Sequence, residues 1–233
     1  MTEISSHIFP DPLLGALAAD ALAMPVHWYY DRRALARVYG RVDRYLAPKS
    51  PHADSILWRS SYVPLNARGD ILREQAQYWG RRGVHYHQFL AAGENTVNFQ
   101  LAAELFRFVP SNGRYDAEAW LERYIEFMLT PGKHRDTYLE EYHRGFFTNL
   151  ARGKKPKACG VDDVHIGGLA QVPALIAALG ARHPALVEIV ETHVGLTHKN
   201  TGVIHAARLL TAIHVAVAAG ADLRDAIPEI AGE

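Results

Sequence analysis

The sequence predicts an all-α fold, a compact multi-helix globular domain, on three observations. Apolar residues recur at the helical period along most of the chain. No segment alternates apolar and polar residues as a half-buried strand does. Two Ala-rich segments, 168–181 and 202–219, are almost wholly apolar, which burial at the centre of a multi-helix pack satisfies.

Taken in order, residues 13–24 are apolar apart from Asp20, Pro12 stands where a first-turn proline is tolerated, and Pro25 ends the helix. Asp31 caps a short helix through Val38. Residues 41–66 hold Pro48, Pro51 and Pro64 among Tyr45, Trp58 and Tyr62, and read as a long ordered loop, a kind of segment that often carries function. Residues 70–81 read as a helix stopped by Gly83, and 97–109 as a helix with Pro110 just after it. Asp116 caps a helix to about Leu129, and Asp136 caps another to about Ala151. Residues 168–181 form a buried central helix, Pro184 opens one to about Leu196, Gly220 closes the second apolar helix, and Asp222 begins a last short one. No internal repeat or dividing linker is visible, so one domain over 1–233 is expected.

Lys plus Arg number 25 and Asp plus Glu 25, so the net charge is zero and no long-range field draws the chain onto nucleic acid or an anionic membrane. The basic run Arg152 to Lys157 reads as a solvated loop. A single cysteine, Cys159, excludes a disulfide framework and a thiolate metal cluster, and is expected as a buried thiol. Residues 1–12 have no basic stretch leading into an apolar core, so no signal peptide is expected. No apolar run reaches ~18 residues, so no membrane partner is expected, and the location is expected to be cytoplasmic.

Four segments carry chemistry. In Gly15-Ala-Leu-Ala-Ala-Asp20-Ala-Leu-Ala-Met-Pro25, the acid sits in an apolar helix and needs hydrogen bonds or a counter-charge. It is either a tie between helices or part of a site. In Gly93-Glu94-Asn95-Thr96-Val97-Asn98-Phe99, Asn95 or Thr96 can cap a helix. In Asp162-Asp163-Val-His165-Ile166-Gly167-Gly168-Leu-Ala-Gln171-Val-Pro173, glycines at a helix entrance give a phosphate access to backbone N–H groups, and the paired acids read as a solvated turn. In Leu196-Thr197-His198-Lys199-Asn200, the histidine at a helix boundary is structural or catalytic. In the long loop, Trp58 can stack a base and Arg59 can pair a phosphate, with Ser60 and Tyr62 beside them, so a pocket wall is expected there. His85-Tyr86-His87 offers two histidines on one side of an extended segment but no third metal ligand at a readable spacing.

From about Leu13 to Gly220 these four segments, in this order and each at a helix junction, resemble the ADP-ribosylglycohydrolase family. The first is similar to that family's G-x-x-x-G-D-A-L-G-x-P with both inner glycines replaced by alanine. The second lies where the family has G-x-x-T-D-D-T, the third where it has G-N-G-x-x-M-R-x-x-P, and the fourth where it has a T-H pair near the nucleotide-sugar. The resemblance implies a pair of Mg²⁺ ions held by the oxygens of the second segment. Here Thr96 matches while Val97 and Asn98 replace the two acids, so Thr96 and Asn98 are the expected metal ligands and weakened Mg²⁺ binding is expected. It also implies Asp20, Glu94 and His198 as catalytic residues and Gly167, Gly168 and His165 as substrate-binding residues; the long loop does not match the family pattern, and its Trp58 and Arg59 are expected as substrate-binding residues on their own chemistry. The implied function is hydrolysis of an N- or O-glycosidic ADP-ribosyl linkage. The alternative is a catalytically inactive ADP-ribose-binding protein, or a structural protein that reuses the fold. The partner is small-molecule or protein-linked ADP-ribose. No D-x-D-T segment of the family kind precedes Glu233, so a domain lacking its C-terminal part is expected, with apolar surface left for a homo-oligomer.

Overall fold

The computed structural model describes residues 11–111 and 114–232. Residues 1–10, on which the signal-peptide expectation largely rests, lie outside the described residues. Among the described residues there are nine α-helices, several 3₁₀ turns and no strand, with one isolated parallel bridge between Val161 and His198.

The centre of the fold is α6 (Val172–Leu179), in which Val172, Pro173, Ala174, Leu175, Ile176 and Ala177 are all buried. Pro173 lies in its first turn, and Gly180, at φ +84°, ends it in a conformation that β-carbon-bearing residues resist. Helix α3 (Val97–Ser111), whose Leu101, Ala102 and Leu105 are fully buried, packs along α6, as does α1 (Asp11–Ala23). Helices α4 (Ala117–Leu129) and α5 (Glu141–Ala151) add Leu121, Tyr124 and Met128, and Phe146, Phe147 and Leu150, to the same core. Helix α7 (Leu186–Thr197) packs on α8 (Thr201–Ala218), which packs on α9 (Leu223–Ala231). The short α2 (Arg32–Tyr39) precedes the long loop. As expected from the sequence, the side chains of Asp31, Asp116 and Asp222 accept first-turn N–H groups of α2, α4 and α9.

Several expectations are corrected. Residues 70–81 hold only a 3₁₀ stretch, Arg73–Tyr78. The Asp70 side chain takes the Arg73 N–H at 2.9 Å, and Arg73 sits at φ +49° with its guanidinium on the terminal carbonyls of α4, which prevents a regular helix. Helix α3 continues through Pro110 to Ser111. Asp136 caps no following helix, because α5 begins only at Glu141. The apolar 168–181 segment enters through a 3₁₀ stretch, Ile166–Gln171, before α6. Helix α8 is not a second buried centre: it buries Val203, Ala207 and Thr211 and leaves Leu209 and Val217 exposed. By length and composition alone it is apolar enough to cross a membrane, which the sequence reading did not expect.

Replacing a fully buried leucine at the α3–α6 contact removes packing that cannot re-form. Leu101→Ala is expected to lower the unfolding free energy by about 2–5 kcal/mol, and Leu209→Ala on the open side of α8 by far less, in urea titrations of both variants.

Candidate functional site

A cavity of about 310 Å³ opens between the segment after α1, the long loop, and the turns that lead into α5 and α6. Its apolar wall is Trp28, Tyr86 and Tyr138, whose ring centroids lie 4.6 to 5.4 Å apart, flanked by Tyr30, Ile56, Leu57 and Ser60. Trp28 is held at φ +57°, a left-handed conformation that costs a bulky residue about 1–3 kcal/mol. The surrounding rings fix it there, so the indole faces the cavity. The Tyr86 hydroxyl accepts the Ile56 N–H at 2.9 Å, and the Tyr86 carbonyl accepts the N–H groups of Thr137 and Tyr138, which joins the long loop to the turn before α5.

The opposite end is acidic: Glu140, Glu141 and Asp163 line it together with His165. Glu140 is positioned by a buried chain of hydrogen bonds. Asn98 Nδ2 donates to Glu140 Oε2 at 2.9 Å. Asn98 Oδ1 accepts the Tyr142 hydroxyl at 2.8 Å and His143 Nε2 at 2.9 Å. His143 Nδ1 meets the Tyr124 hydroxyl at 2.7 Å. Burial raises the pKa of Glu140, the Asn98 bond offsets this in part, and the negative charge of Asp163 adds to the rise. Asp163 is shifted the other way. Burial by itself would raise it, but the backbone and ring of His165, at 2.8 and 2.6 Å from Oδ1, hold it below the ordinary carboxyl value. The partnership raises His165 in turn. Asp163 Oδ2 is buried without a hydrogen-bond partner among the described residues. The site therefore holds two carboxyl groups pushed apart, one toward the protonated and one toward the ionised form.

Behind the aromatic wall lies a histidine cluster. Asp136 Oδ1 takes His87 Nδ1 at 2.5 Å, and His87 Nε2 meets His27 Nδ1 at 2.9 Å. His85 Nε2 donates to the Pro25 carbonyl and its Nδ1 accepts the His87 N–H. His52 Nε2 donates to the His27 carbonyl. Both ring nitrogens of His85 are thus engaged.

Of the residues expected from the sequence, His165 lines the cavity; Asp20, Glu94 and His198 do not come together in it. Asp20 is buried and saturated: Oδ2 accepts Asn95 Nδ2 and the Thr96 N–H, and Oδ1 accepts the Thr96 hydroxyl, which ties α1 to the start of α3. Glu94 is partly exposed, pairs with Arg135 and accepts the Ala91 N–H. His198 is fully buried behind Gly168, its Nε2 has no hydrogen-bond partner among the described residues, and burial lowers its pKa to about 4. A β-carbon at Gly167 would fall 2.1 Å from Glu140 Oε2, and one at Gly168 2.6 Å from His198 Nδ1. Glycine is needed at both positions to admit these side chains, so the space beside them is filled rather than open to a phosphate. Trp58 and Arg59 sit next to the lining residues Leu57 and Ser60 without lining the cavity themselves. Asp163 is buried, against the solvated turn expected for the acid pair. Cys159 is buried as expected, and burial raises its thiol pKa. The sequence reading missed Glu140, and the Tyr142 and His143 that share Asn98 with it, because it ran one helix from Asp136 through them; a pair of acids followed by a tyrosine and a histidine was the available signal.

The residues of the second segment do not fit a pair of Mg²⁺ ions as arranged. Val97 offers no oxygen, the Thr96 hydroxyl is turned onto Asp20, and both lone pairs of Asn98 Oδ1 are taken. Among the described residues no three His, Cys, Asp or Glu side chains are grouped to hold a metal ion.

A family model described as ADP-ribosylglycohydrolase matches residues 11–233, nearly the whole chain, and the all-α architecture agrees with it. An ADP-ribosylglycohydrolase-like hydrolase function in general, and ADP-ribosylated substrates as a class, follow from that match. No curated protein and no solved structure matches the chain.

Two outcomes follow from this geometry. Burial lowers the pKa of seven histidines, with His27 and His193 at about 3 and His85 and His198 at about 4. Their contribution to stability is complete above the ordinary value of 6.5 and is lost as pH falls from there through their lowered values. Chemical denaturation across that range should show a steep acid decline, and His193→Gln should flatten it by about 1.4 kcal/mol per pH unit. Gly167→Ala should lower Tm by displacing Glu140, whereas Gly15→Ala in α1, which meets nothing within 4 Å, should leave Tm unchanged or raise it.

Proposed function

The chain belongs to the ADP-ribosylglycohydrolase family, and we propose that it hydrolyses an N- or O-glycosidic ADP-ribosyl linkage in the cavity between Trp28 and Glu140, with two carboxyl groups in the roles that acid–base chemistry needs. The observation that carries this reading is the opposed pair: Glu140 raised by burial, Asp163 lowered by His165, both on one cavity. Glu140, drawn toward its protonated form by burial, gives its proton to the leaving atom as the bond from the anomeric carbon breaks. Asp163, ionised, accepts a proton from the water that attacks the same carbon, and so stabilises the positive charge that builds on the ribose. Exchange with solvent returns both protons. The aromatic wall supplies faces for the sugar and base. The closed hydrogen-bond shell around Asn98 supports cleavage with little or no dependence on Mg²⁺.

Val97 and Asn98, in place of two acids, favour a second reading in which the cavity binds ADP-ribose without cleaving it. The discriminating experiment is release of ADP-ribose from ADP-ribosylated protein, with added Mg²⁺ and with chelator, beside a thermal shift with ADP-ribose. We expect release in both conditions, a decline of kcat/KM on the alkaline side as Glu140 ionises and on the acid side as Asp163 protonates, and a loss of about 10²–10⁴-fold in Glu140→Gln. A thermal shift without release would replace hydrolysis by binding, and neither shift nor release would overturn both.

A further inference from the structure

Beside the cavity the chain builds a second, cationic feature. Arg59 and Arg82 both lie over the ring of Trp58, with guanidinium carbons 4.9 and 3.7 Å from its centroid. Arg82 comes from a Gly-Arg-Arg-Gly turn whose two glycines, Gly80 and Gly83, have φ of +81° and +70°. Two backbone bonds pin that turn to the long loop, Gly80 N–H to the Leu57 carbonyl at 3.2 Å and His52 N–H to the Gly83 carbonyl at 2.9 Å. A β-carbon at Gly83 would lie 3.0 Å from Pro51, so the approach is close. The loop and the turn therefore fix the two guanidiniums relative to each other, with the half-buried indole between the chain segments that carry them. Both arginines are exposed, and beyond their contacts with Trp58 neither pairs with any described carboxylate. By contrast Arg107, Arg123 and Arg135 are all matched with glutamates. Leu57 and Ser60, on either side of Trp58 and Arg59, line the cavity.

We infer that Arg59, Arg82 and Trp58 form an anion subsite at the rim of the cavity that takes the phosphates of a phosphorylated sugar-nucleotide ligand. The inference rests on the proposed hydrolase reading for the ligand's identity but not for the existence of the subsite. It gives the cavity a polarity: carboxyl groups at the end where the glycosidic bond is cut, guanidiniums at the end where phosphate sits. Guanidinium forks match phosphate oxygens in a bidentate manner, and stacking on an indole holds them ready for it. With one guanidinium near the ring centroid, Trp58 acts as a holder of cations rather than as a free stacking face.

The test is calorimetric titration of the full chain with inorganic pyrophosphate, ADP-ribose and free ribose, in wild type, Arg59→Gln, Arg82→Gln and the double variant, with Arg107→Gln as a surface control. Each single variant should weaken pyrophosphate and ADP-ribose about tenfold and the double variant further, with ribose and the circular dichroism spectrum unchanged. The salt dependence of pyrophosphate binding should flatten in the double variant. In turnover, KM should rise while kcat stays. Trp58→Phe should keep most of the affinity and Trp58→Leu lose it. Unchanged affinity for pyrophosphate and ADP-ribose in the double variant, or an equal loss in Arg107→Gln, overturns the subsite. So does a wild-type chain that binds neither. Cleavage by wild type with an unaltered KM in the double variant leaves the hydrolase reading standing and removes the subsite. Pyrophosphate binding that depends on both arginines, without release of ADP-ribose from any substrate, keeps the subsite and removes the hydrolase reading.

Discussion

The carboxyl group of Asp136 holds together parts of the chain that are far apart in sequence, the start of α3 and the ring of His87. It is wholly buried, with Oδ2 on the first N–H of α3 at 2.5 Å and Oδ1 on His87 at 2.5 Å. The first contact satisfies an N–H that a helix start leaves without an internal partner. The second fixes the ring of His87, and through it His27 and the turn that carries Trp28. A buried carboxyl group is costly unless its oxygens are engaged, so the two contacts are mutually required. Without it, the start of α3 and the ring of His87 would lose the contact they share.

From that anchor the chemistry of the site is set by what burial does to side chains of different kinds. His27, His52 and His85 behind the wall are driven toward neutrality, Glu140 toward its protonated form, and Asp163 toward its ionised form, because the backbone N–H and exposed ring of His165 reach its Oδ1. The contrast comes from the partners: the ring that steadies Asp163 stands in water and carries charge there cheaply, while Glu140 is held by the neutral amide of Asn98 and meets the negative charge of Asp163. Such a division lets two like residues near each other differ in protonation at one pH.

The helices were largely legible because their signals are local. Asp31, Asp116 and Asp222 cap where an acid precedes an amphipathic run, and the unbroken apolar stretch of α6 sits at the centre as such a stretch must. Asp136 carried the same local signal and served a different helix, since nothing in a linear string tells which N–H a buried acid will find. The same holds for the site. Asp20 and Thr96 were legible as important, and their contact is a tie between helices. His165 was picked out and does line the cavity. Glu140 was hidden because its meaning comes from Asn98, 42 residues away, and from Gly167, which leaves it room. Gly167 and Gly168 were noticed for the right property, absence of a β-carbon, with a different neighbour filling the gap.

The hydrogen-bonded shell around Asn98 has an electrostatic consequence. The family pattern would have an acid at that position, yet here the amide nitrogen gives its proton to Glu140 while the amide oxygen takes protons from Tyr142 and His143. An aspartate there would keep the second pair and set a carboxyl oxygen against that of Glu140, where one of the two would have to hold a proton. Asn98→Asp alone thus sets two carboxyl groups against each other, and Val97 beside it would still lack an oxygen. An amide at position 98 thus couples it to position 140, and a change in the charge of either side chain is felt at once by the other.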